Sequence, residues 1–163
     1  MTNTKTQIQK DLKNKKITII REFSASVEPV WKFWTEKELL DQWWAPKPWK
    51  AQTKTLDFSA GGFWLYCMVG PDGTKMWARL DFNTITKFID FTATNSFCDE
   101  TGSINLSFPN NHWKNDFHKT GTGTKIVVEI SFSSEIDLEK MVEMGFEEGF
   151  TAALNNLEEL LKK

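Results

Sequence analysis

The segment from residue 53 to residue 132 restricts the fold more than any other part of the chain, because it consists of short apolar runs separated by turns. Strands are predicted at residues 53–58, 63–69, 75–82, about 85–97, 103–108 and 124–132. Parallel strands need a crossover connection of a dozen or more residues, usually a helix. No connection in this segment has a helical pattern, so consecutive strands are predicted to pair antiparallel.

Turn and loop signals divide these strands. Pro71-Asp72-Gly73 lies between two apolar runs and predicts a hairpin turn, because proline presets φ and glycine accepts a positive φ. Gly61-Gly62 separates the first two strands. The segment 109–123 is polar and contains glycines, so it is predicted to be a long exposed loop.

A strand and two short helices precede this segment. Residues 17–23 are rich in β-branched side chains that alternate in character, which predicts a strand. Ser26 is placed to cap the first helix, and Pro29 is tolerated in its first turn. Thr35-Glu-Lys-Glu38 is typical of a capping box at the start of the second helix, and Trp43-Trp44-Ala45-Pro46 closes it.

The C-terminal segment 137–161 returns to a helical period. Its apolar stripe predicts one helix of about 25 residues and roughly 37 Å. Asp137 is the expected cap, with Ile136 and Met141 placed as a hydrophobic staple around it. Gly145 and Gly149 lie on the stripe, where they indicate close packing of the helix on the sheet or, alternatively, room for a ligand. The predicted fold is therefore one antiparallel sheet covered by a long helix.

The chain of 163 residues has the size of one domain. Residues 1–16 are polar and basic and are predicted to form a loose tail or a short frayed helix, with the folded domain spanning residues 17–163. The tail lacks the apolar run of a secretory signal, and no stretch approaches the length of a membrane span. We therefore expect a cytoplasmic protein that does not insert into membranes. A net charge of −2 argues against binding to nucleic acid.

Residue types that carry catalysis or metal binding occur here without the spacing that such chemistry needs. Cys67 and Cys98 form no CxxC motif and are interpreted as reduced thiols. His112 and His118 have no third ligand at a recognised spacing. Asp99 and Glu100 are adjacent, so they are predicted to lead a turn into Thr101-Gly102 rather than to converge. No metal, cofactor or catalytic residue is predicted, and whether the protein is an enzyme stays open.

Aromatic residues are the unusual part of the composition, with eight Trp and thirteen Phe against one Tyr. Such residues suit either a filled core or the walls of a pocket for an apolar ligand. The alternation within the strands predicts an inner face of the sheet. The residues assigned to it are Trp64, Tyr66, Met68, Ala78, Leu80, Phe82, Ile89, Phe91, Ala93, Phe97, Ile126, Val128, Ile130 and Phe132. The same alternation does not distinguish a filled interior from an open cavity.

The order of elements and several motifs resemble the Bet v 1-like, START-like superfamily called SRPBCC, and within it the family of homologues of the activator of heat shock protein 90 ATPase. The motifs are Arg21-Glu-Phe23 with Ala25, Val30-Trp31 through Leu40, Trp43-Trp44-Ala45-Pro46, Gly61-Gly62, Met68-Val-Gly-Pro-Asp-Gly73, Trp77, Asp99-Glu-Thr-Gly102, Thr124, and Gly145-Phe-Glu-Glu-Gly149 with Leu154, Leu157 and Leu161. The resemblance covers residues 17–163. It implies an α+β helix-grip fold of order β-α-α-β6-α, in which a curved antiparallel sheet wraps around the long C-terminal helix over a cavity.

The function expected from this resemblance and from the aromatic inner face is binding of a small hydrophobic or aromatic ligand between the sheet and the C-terminal helix. The predicted ligand-binding residues are Trp34, Trp43, Trp64, Tyr66, Met68, Leu80, Phe82, Phe91, Phe97, Met141, Phe146 and Arg21. Arg21 has two interpretations, an anchor for a ligand's carboxylate or phenolate and an ion pair with an acidic side chain at the end of the sheet.

A second hypothesis follows from the family name, which implies a partner-binding module that activates a chaperone. Such a role requires an exposed patch. The sequence candidates for that patch are Trp43, Trp44, Trp49 and the segment 109–123. In either case we expect a monomer or a homodimer.

Overall fold

The computed structural model describes residues 5–163, which form one eight-stranded sheet and four helices. In chain order the elements are β1 (Gln7–Asp11), β2 (Lys16–Phe23), α1 (Val27–Thr35), α2 (Lys37–Trp43), β3 (Lys50–Leu56), β4 (Phe63–Val69), β5 (Lys75–Thr86), β6 (Asp90–Phe97), β7 (Asn111–Lys119), β8 (Thr124–Ser131), α3 (Glu135–Glu143) and α4 (Phe146–Leu161). The strand order is β1-β2-β8-β7-β6-β5-β4-β3. All neighbouring strands are antiparallel, which confirms the prediction.

Alternation along the strands places one apolar face of the sheet against the helices. In β2 every second residue is buried, and Ile17 lies opposite Ile130 of β8. Helix α4 contacts α1, α2 and β2, and it buries Phe150, Ala153, Leu154 and Leu157. The core therefore lies between the inner face of the sheet and a layer of helices, as the α+β prediction required. Among residues 5–163 no helix combines the length and the apolar character that a membrane span needs.

The segment predicted to be a long loop, 109–123, instead contains strand β7, so that prediction is wrong. β7 lies inside the sheet, between β6 and β8. Its buried residues alternate with exposed ones, with Trp113 and Phe117 facing the core and His112 and His118 facing outward. Polar side chains occupy both faces of β7, and the pattern therefore resembled a loop. Backbone hydrogen bonds from two neighbouring strands compensate for this low apolar content.

Two strand predictions near β6 are also corrected. The segment 85–97 is not one strand, because a turn at Lys87–Ile89 separates β5 from β6 and leaves Ile89 57% exposed. Ile89 therefore does not belong to the inner face. The segment 103–108 is not a strand, since only a single bridge between Ile104 and Cys98 joins it to the sheet.

The C-terminal helix is interrupted, which corrects the prediction of one continuous helix. Helix α3 ends at Glu143, and Gly145 adopts a φ of +86° before α4 begins. A left-handed backbone conformation favours glycine, so Gly145 allows the helix to be interrupted here and is not explained by close packing on the sheet. The Ser134 hydroxyl accepts a hydrogen bond from the Asp137 amide, so Ser134 is the cap instead of Asp137. Ile136 is 65% exposed and forms no buried staple.

The N-terminal predictions need two further corrections. Residues 7–11 form β1, which pairs with β2, so a loose tail or frayed helix is wrong for them; residues 1–4 lie outside the described part of the chain. The Thr35 hydroxyl donates back to the Trp31 carbonyl, and Glu36 occupies the cap position of α2. The capping box predicted at Thr35 is therefore not formed.

Candidate functional site

A cavity of about 570 Å³ opens between the inner face of the sheet and the helices α3 and α4. Its wall is largely apolar. The lining residues are Trp44, Pro46, Tyr66, Met68, Ala78, Asn95, Phe97, Ser107, Phe108, Pro109, Asn111, Trp113, Phe132, Asp137, Lys140, Met141, Glu143, Met144, Gly145, Phe146, Gly149 and Phe150. The volume falls in the range of roughly 300–1,000 Å³ that is usual for small-molecule sites.

The sheet forms one side of the cavity through the alternation of its strands. Residues of one parity on β4 to β7 face the same side, so their side chains converge although they are far apart in sequence. Ala78 pairs with Tyr66 on one side and with Phe97 on the other. Its small side chain between two aromatic neighbours leaves room at this point of the wall.

The helix break forms the opposite side. Met141 belongs to α3, whereas Phe146 and Phe150 belong to the first turns of α4 and stack on each other with ring centroids 5.4 Å apart. Gly145 joins the two helices and lines the cavity itself. Side chains from both helices, on either side of the interruption at this glycine, thus reach the same space.

Aromatic rings fill the other half of the inner face. Trp31 contacts the rings of Phe58, Phe88, Phe91 and Phe117 at centroid distances of 4.9–6.0 Å. Trp44 separates this filled half from the cavity, because it contacts Trp34 on one side and Trp113 on the other. The interior is therefore packed near α1 and open near α3.

Tyr66 brings a polar group to the cavity wall. Its hydroxyl oxygen accepts a hydrogen bond of 2.9 Å from the Trp44 indole Nε1. Tyr66 is 5% exposed, and burial raises the pKa of its phenol to about 12. The phenol is therefore neutral at physiological pH and retains its O–H donor.

Asn111 brings a second polar group. Its Oδ1 accepts a hydrogen bond of 2.6 Å from the Trp113 indole Nε1, and its Nδ2 lies 3.8 Å from the thioether sulfur of Met141. A thioether is only a weak acceptor. The amide N–H groups of Asn111 thus face a lining residue that bonds them weakly.

The mouth of the cavity carries exposed apolar side chains. Phe108 is 47% exposed and its ring lies 5.3 Å from that of Phe97, while Met144 on the opposite rim is 56% exposed. Asp137, Lys140 and Glu143 of α3 add charges at the cavity edge. An apolar ligand would meet an apolar entrance bordered by mixed charge.

The structure brings together some of the residues predicted from the sequence. Tyr66, Met68, Phe97, Met141 and Phe146 line the cavity. The others lie outside its wall, in the filled half or behind the first layer of side chains. They are Trp34, Trp43, Trp64, Leu80, Phe82 and Phe91. Alternation predicted the correct face of the sheet, but it carried no information on which end of that face is open.

Arg21 lies away from the cavity and forms the ion pair that the sequence offered as its second interpretation. It is 2% exposed, and its Nη2 lies 3.3 Å from Glu158 Oε1. Its Nη1 donates to Thr6 Oγ1 and Asn155 Oδ1. This guanidinium therefore joins β2 to the C-terminal half of α4.

Trp113, Asn111, Asn95, Phe108 and Phe150 line the cavity and were missed from the sequence. Trp113 and Asn111 were missed because their segment was predicted to be a loop. The available signal was the two-residue spacing of Asn111, Trp113, Asn115 and Phe117. That spacing predicts a strand if Asn is accepted on an inner face.

The remaining candidates for chemistry do not converge. Asp99 Oδ1 accepts from the Thr101 and Ser103 amides, which confirms the predicted turn. His112 lies on the outer face and pairs with Thr94. In the described part of the chain, no three His, Cys, Asp or Glu side chains come together as a metal site would require.

A curved antiparallel sheet held against a C-terminal helical segment over an internal cavity defines the α+β helix-grip class. Within this class, the family described as "Activator of Hsp90 ATPase homolog 1-like protein" matches residues 24–162, and the chain belongs to this family. The resemblance seen in the sequence is thereby confirmed. Membership supports a module that binds a ligand or acts as an activator of this kind.

Solved structures agree with this assignment. A protein from Mycobacterium smegmatis is 28% identical, with 96% of each chain covered and a TM-score of 0.89. A protein from Arthrobacter aurescens is 32% identical over 96% of this chain and 91% of the other, with a TM-score of 0.90. A protein from Staphylococcus epidermidis, 24% identical over 96% of this chain and 93% of the other, shares the fold with a TM-score of 0.84. A comparison with curated proteins found no match.

Proposed function

We propose that this protein binds a small hydrophobic molecule in the cavity between β4–β7 and the helices α3 and α4. The observation that carries the proposal is the 570 Å³ cavity with its largely apolar wall. Burial of apolar ligand surface, at about 25 cal/mol per Å², would provide most of the affinity. The aromatic side chains of Trp44, Trp113 and Phe150 provide flat surfaces suited to a ring system.

A titration with small apolar ring compounds, followed by tryptophan fluorescence, tests this proposal. Trp44 and Trp113 line the cavity, so a bound ligand should change the emission in a saturable way. Ligand at 100 times its Kd should also raise the free energy of unfolding by about 2.7 kcal/mol.

The variant Ala78→Leu fills the space at the cavity wall and should weaken binding. Ala60→Leu makes the same change at an exposed turn position and should leave binding intact. Circular dichroism and urea unfolding establish that both variants fold. Equal binding by both folded variants would contradict the assignment of the site.

A second candidate function is contact with a chaperone partner, because the loop before β7 exposes apolar side chains. Leu106 is 92% exposed, and Ile104 and Phe108 are about half exposed. Of the tryptophans predicted for this role, Trp43 and Trp44 are buried, and Trp49 is partly buried. The segment 109–123 lies mostly in the sheet.

An ATPase assay with heat shock protein 90 distinguishes the two functions. Stimulation by the protein, lost when Ile104 and Leu106, which do not line the cavity, are both changed to serine, would support the partner-binding role. No stimulation would remove it and leave ligand binding untouched. The cytoplasmic location and the monomeric or homodimeric state stay predictions.

A further inference from the structure

We propose that the cavity selects neutral hydrophobic ligands that carry a hydrogen-bond acceptor, such as a carbonyl oxygen, over hydrocarbons and over ligands that only donate. This inference rests on the proposed ligand-binding function and adds the polarity of the ligand. Its basis is the orientation of two polar side chains in the wall, Tyr66 and Asn111, by two tryptophans.

Trp44 determines how Tyr66 presents its hydroxyl. An indole N–H only donates, so in the 2.9 Å bond between Trp44 Nε1 and the Tyr66 hydroxyl, the oxygen must accept. The hydroxyl hydrogen then points elsewhere. Within residues 5–163 no acceptor is bonded to it, and Tyr66 lines the cavity. Tyr66 therefore offers a donor to a ligand.

Trp113 determines the orientation of Asn111 in the same way. The indole Nε1 donates to Oδ1 over 2.6 Å, so the amide oxygen must face Trp113 and the amide nitrogen must face away from it. The nitrogen points towards Met141, which also lines the cavity, and its bond to the sulfur spans 3.8 Å. A carbonyl oxygen of a ligand is a better acceptor than this sulfur. Asn111 is 7% exposed, so its donors are shielded from bulk water.

The charges around the cavity favour a neutral ligand. The charged lining residues are Asp137, Lys140 and Glu143, all on α3, and they contribute two negative charges and one positive charge. An anionic ligand would lose its hydration without gaining a buried cation, which is costly. Asn95 adds an amide that both donates and accepts, so it does not change the preference.

Three planar compounds of nearly equal shape test the inference. 9-Fluorenone carries a carbonyl acceptor, fluorene carries no polar group, and carbazole carries only an N–H donor. We expect fluorenone to bind about tenfold more tightly than fluorene, the size of effect usual for one net hydrogen bond, and more tightly than carbazole. Fluorene-9-carboxylate should bind more weakly than fluorenone.

A matched pair of variants assigns the preference to the wall. Asn111→Asp keeps an oxygen for Trp113 but replaces the amide donor, so it should lower the fluorenone-to-fluorene ratio, and the preference that remains is due to the Tyr66 hydroxyl. Asn110→Asp introduces the same charge on the adjacent exposed residue, which does not line the cavity, and should leave the ratio unchanged. Tyr66→Phe should lower the ratio as well, with its folding checked by urea unfolding.

Different results would contradict ligand binding and the selection for an acceptor. If none of the four compounds binds, the proposed function is contradicted and the inference falls with it. If all of them bind with equal affinity, or if Asn111→Asp and Asn110→Asp show the same ratio, ligand binding stands and the selection for an acceptor is wrong.

Discussion

Asn115 is a fully buried amide among apolar side chains of the core, and its replacement by leucine should stabilise the protein. Asn115 is 0% exposed on β7, between Trp113 and Phe117, and lies opposite Phe91 on β6 and Val128 on β8. Neither its Oδ1 nor its Nδ2 has a hydrogen-bond partner among the described residues. A buried amide in apolar surroundings thus loses its hydration without compensation.

The expected change in the free energy of unfolding follows from two opposing effects. Each buried polar group without a partner costs about 1–3 kcal/mol, and Asn115→Leu removes two of them. Leucine has the same number of side-chain heavy atoms, but its methyl groups are larger, and overpacking costs about 1–3 kcal/mol. We therefore expect a net gain of about 2 kcal/mol in the free energy of unfolding. For a chain of this length that corresponds to about 4–8 °C in Tm.

Urea unfolding followed by tryptophan fluorescence measures this change, with an unchanged m value showing that compactness is unaffected. Asn111→Leu provides the contrast, because it removes the acceptor of Trp113 Nε1 and should destabilise the protein by about 1–3 kcal/mol. If Asn115→Leu destabilises the protein as much as Asn111→Leu does, the Asn115 amide is satisfied in solution and the reasoning is refuted.

Three further predictions concern the ion pair, the helix break and the single tyrosine. Glu158→Gln leaves the buried Arg21 without its counter-charge and should lower the free energy of unfolding, measured in urea, by about 3 kcal/mol. The double variant Arg21→Met/Glu158→Leu should regain most of this loss. A Glu158→Gln variant as stable as the original protein would contradict this prediction. Gly145→Ala should lower the free energy of unfolding by about 1–2 kcal/mol because of the φ of +86°. Gly149→Ala lies inside α4, where its added Cβ would be 3.7 Å from Pro46 Cγ, and should raise the free energy of unfolding by about 1 kcal/mol. Equal Tm shifts for the two variants would be inconsistent with the helix break. Burial raises the pKa of Tyr66 from 10.0 to about 12, so its stabilising contribution is complete below pH 10.0 and is lost as the pH rises through about 12. Because Tyr66 is the only tyrosine, tyrosinate absorbance reports it alone, and ionisation near pH 10.0 in the folded protein would show that the phenol is not buried.

Much of the fold could be predicted because local chemistry and final structure agree there. The strand predicted at residues 63–69 matches β4, and Gly73 adopts the positive φ that the predicted hairpin required. The pairing of consecutive strands followed from the absence of crossover helices. In these places each residue's own preference and its environment favour the same conformation.

The candidate site was harder to predict, since it depends on contacts between distant elements. β7 was missed because Asn111 and Asn115 occupy inner positions that usually carry apolar residues. The break at Gly145 was missed because the apolar stripe continues through it, although the helix does not. These two features supply much of the cavity wall.

The sequence by itself determined the antiparallel pairing of consecutive strands and the buried faces of strands such as β2 and β8, because these depend on the order and spacing of residues along the chain. Only the tertiary structure decided which half of the inner face of the sheet is filled and which is open. A cavity is the space left after side chains from β4–β7, α3 and α4 have been placed together. Its size and polarity therefore depend on packing that no single segment encodes.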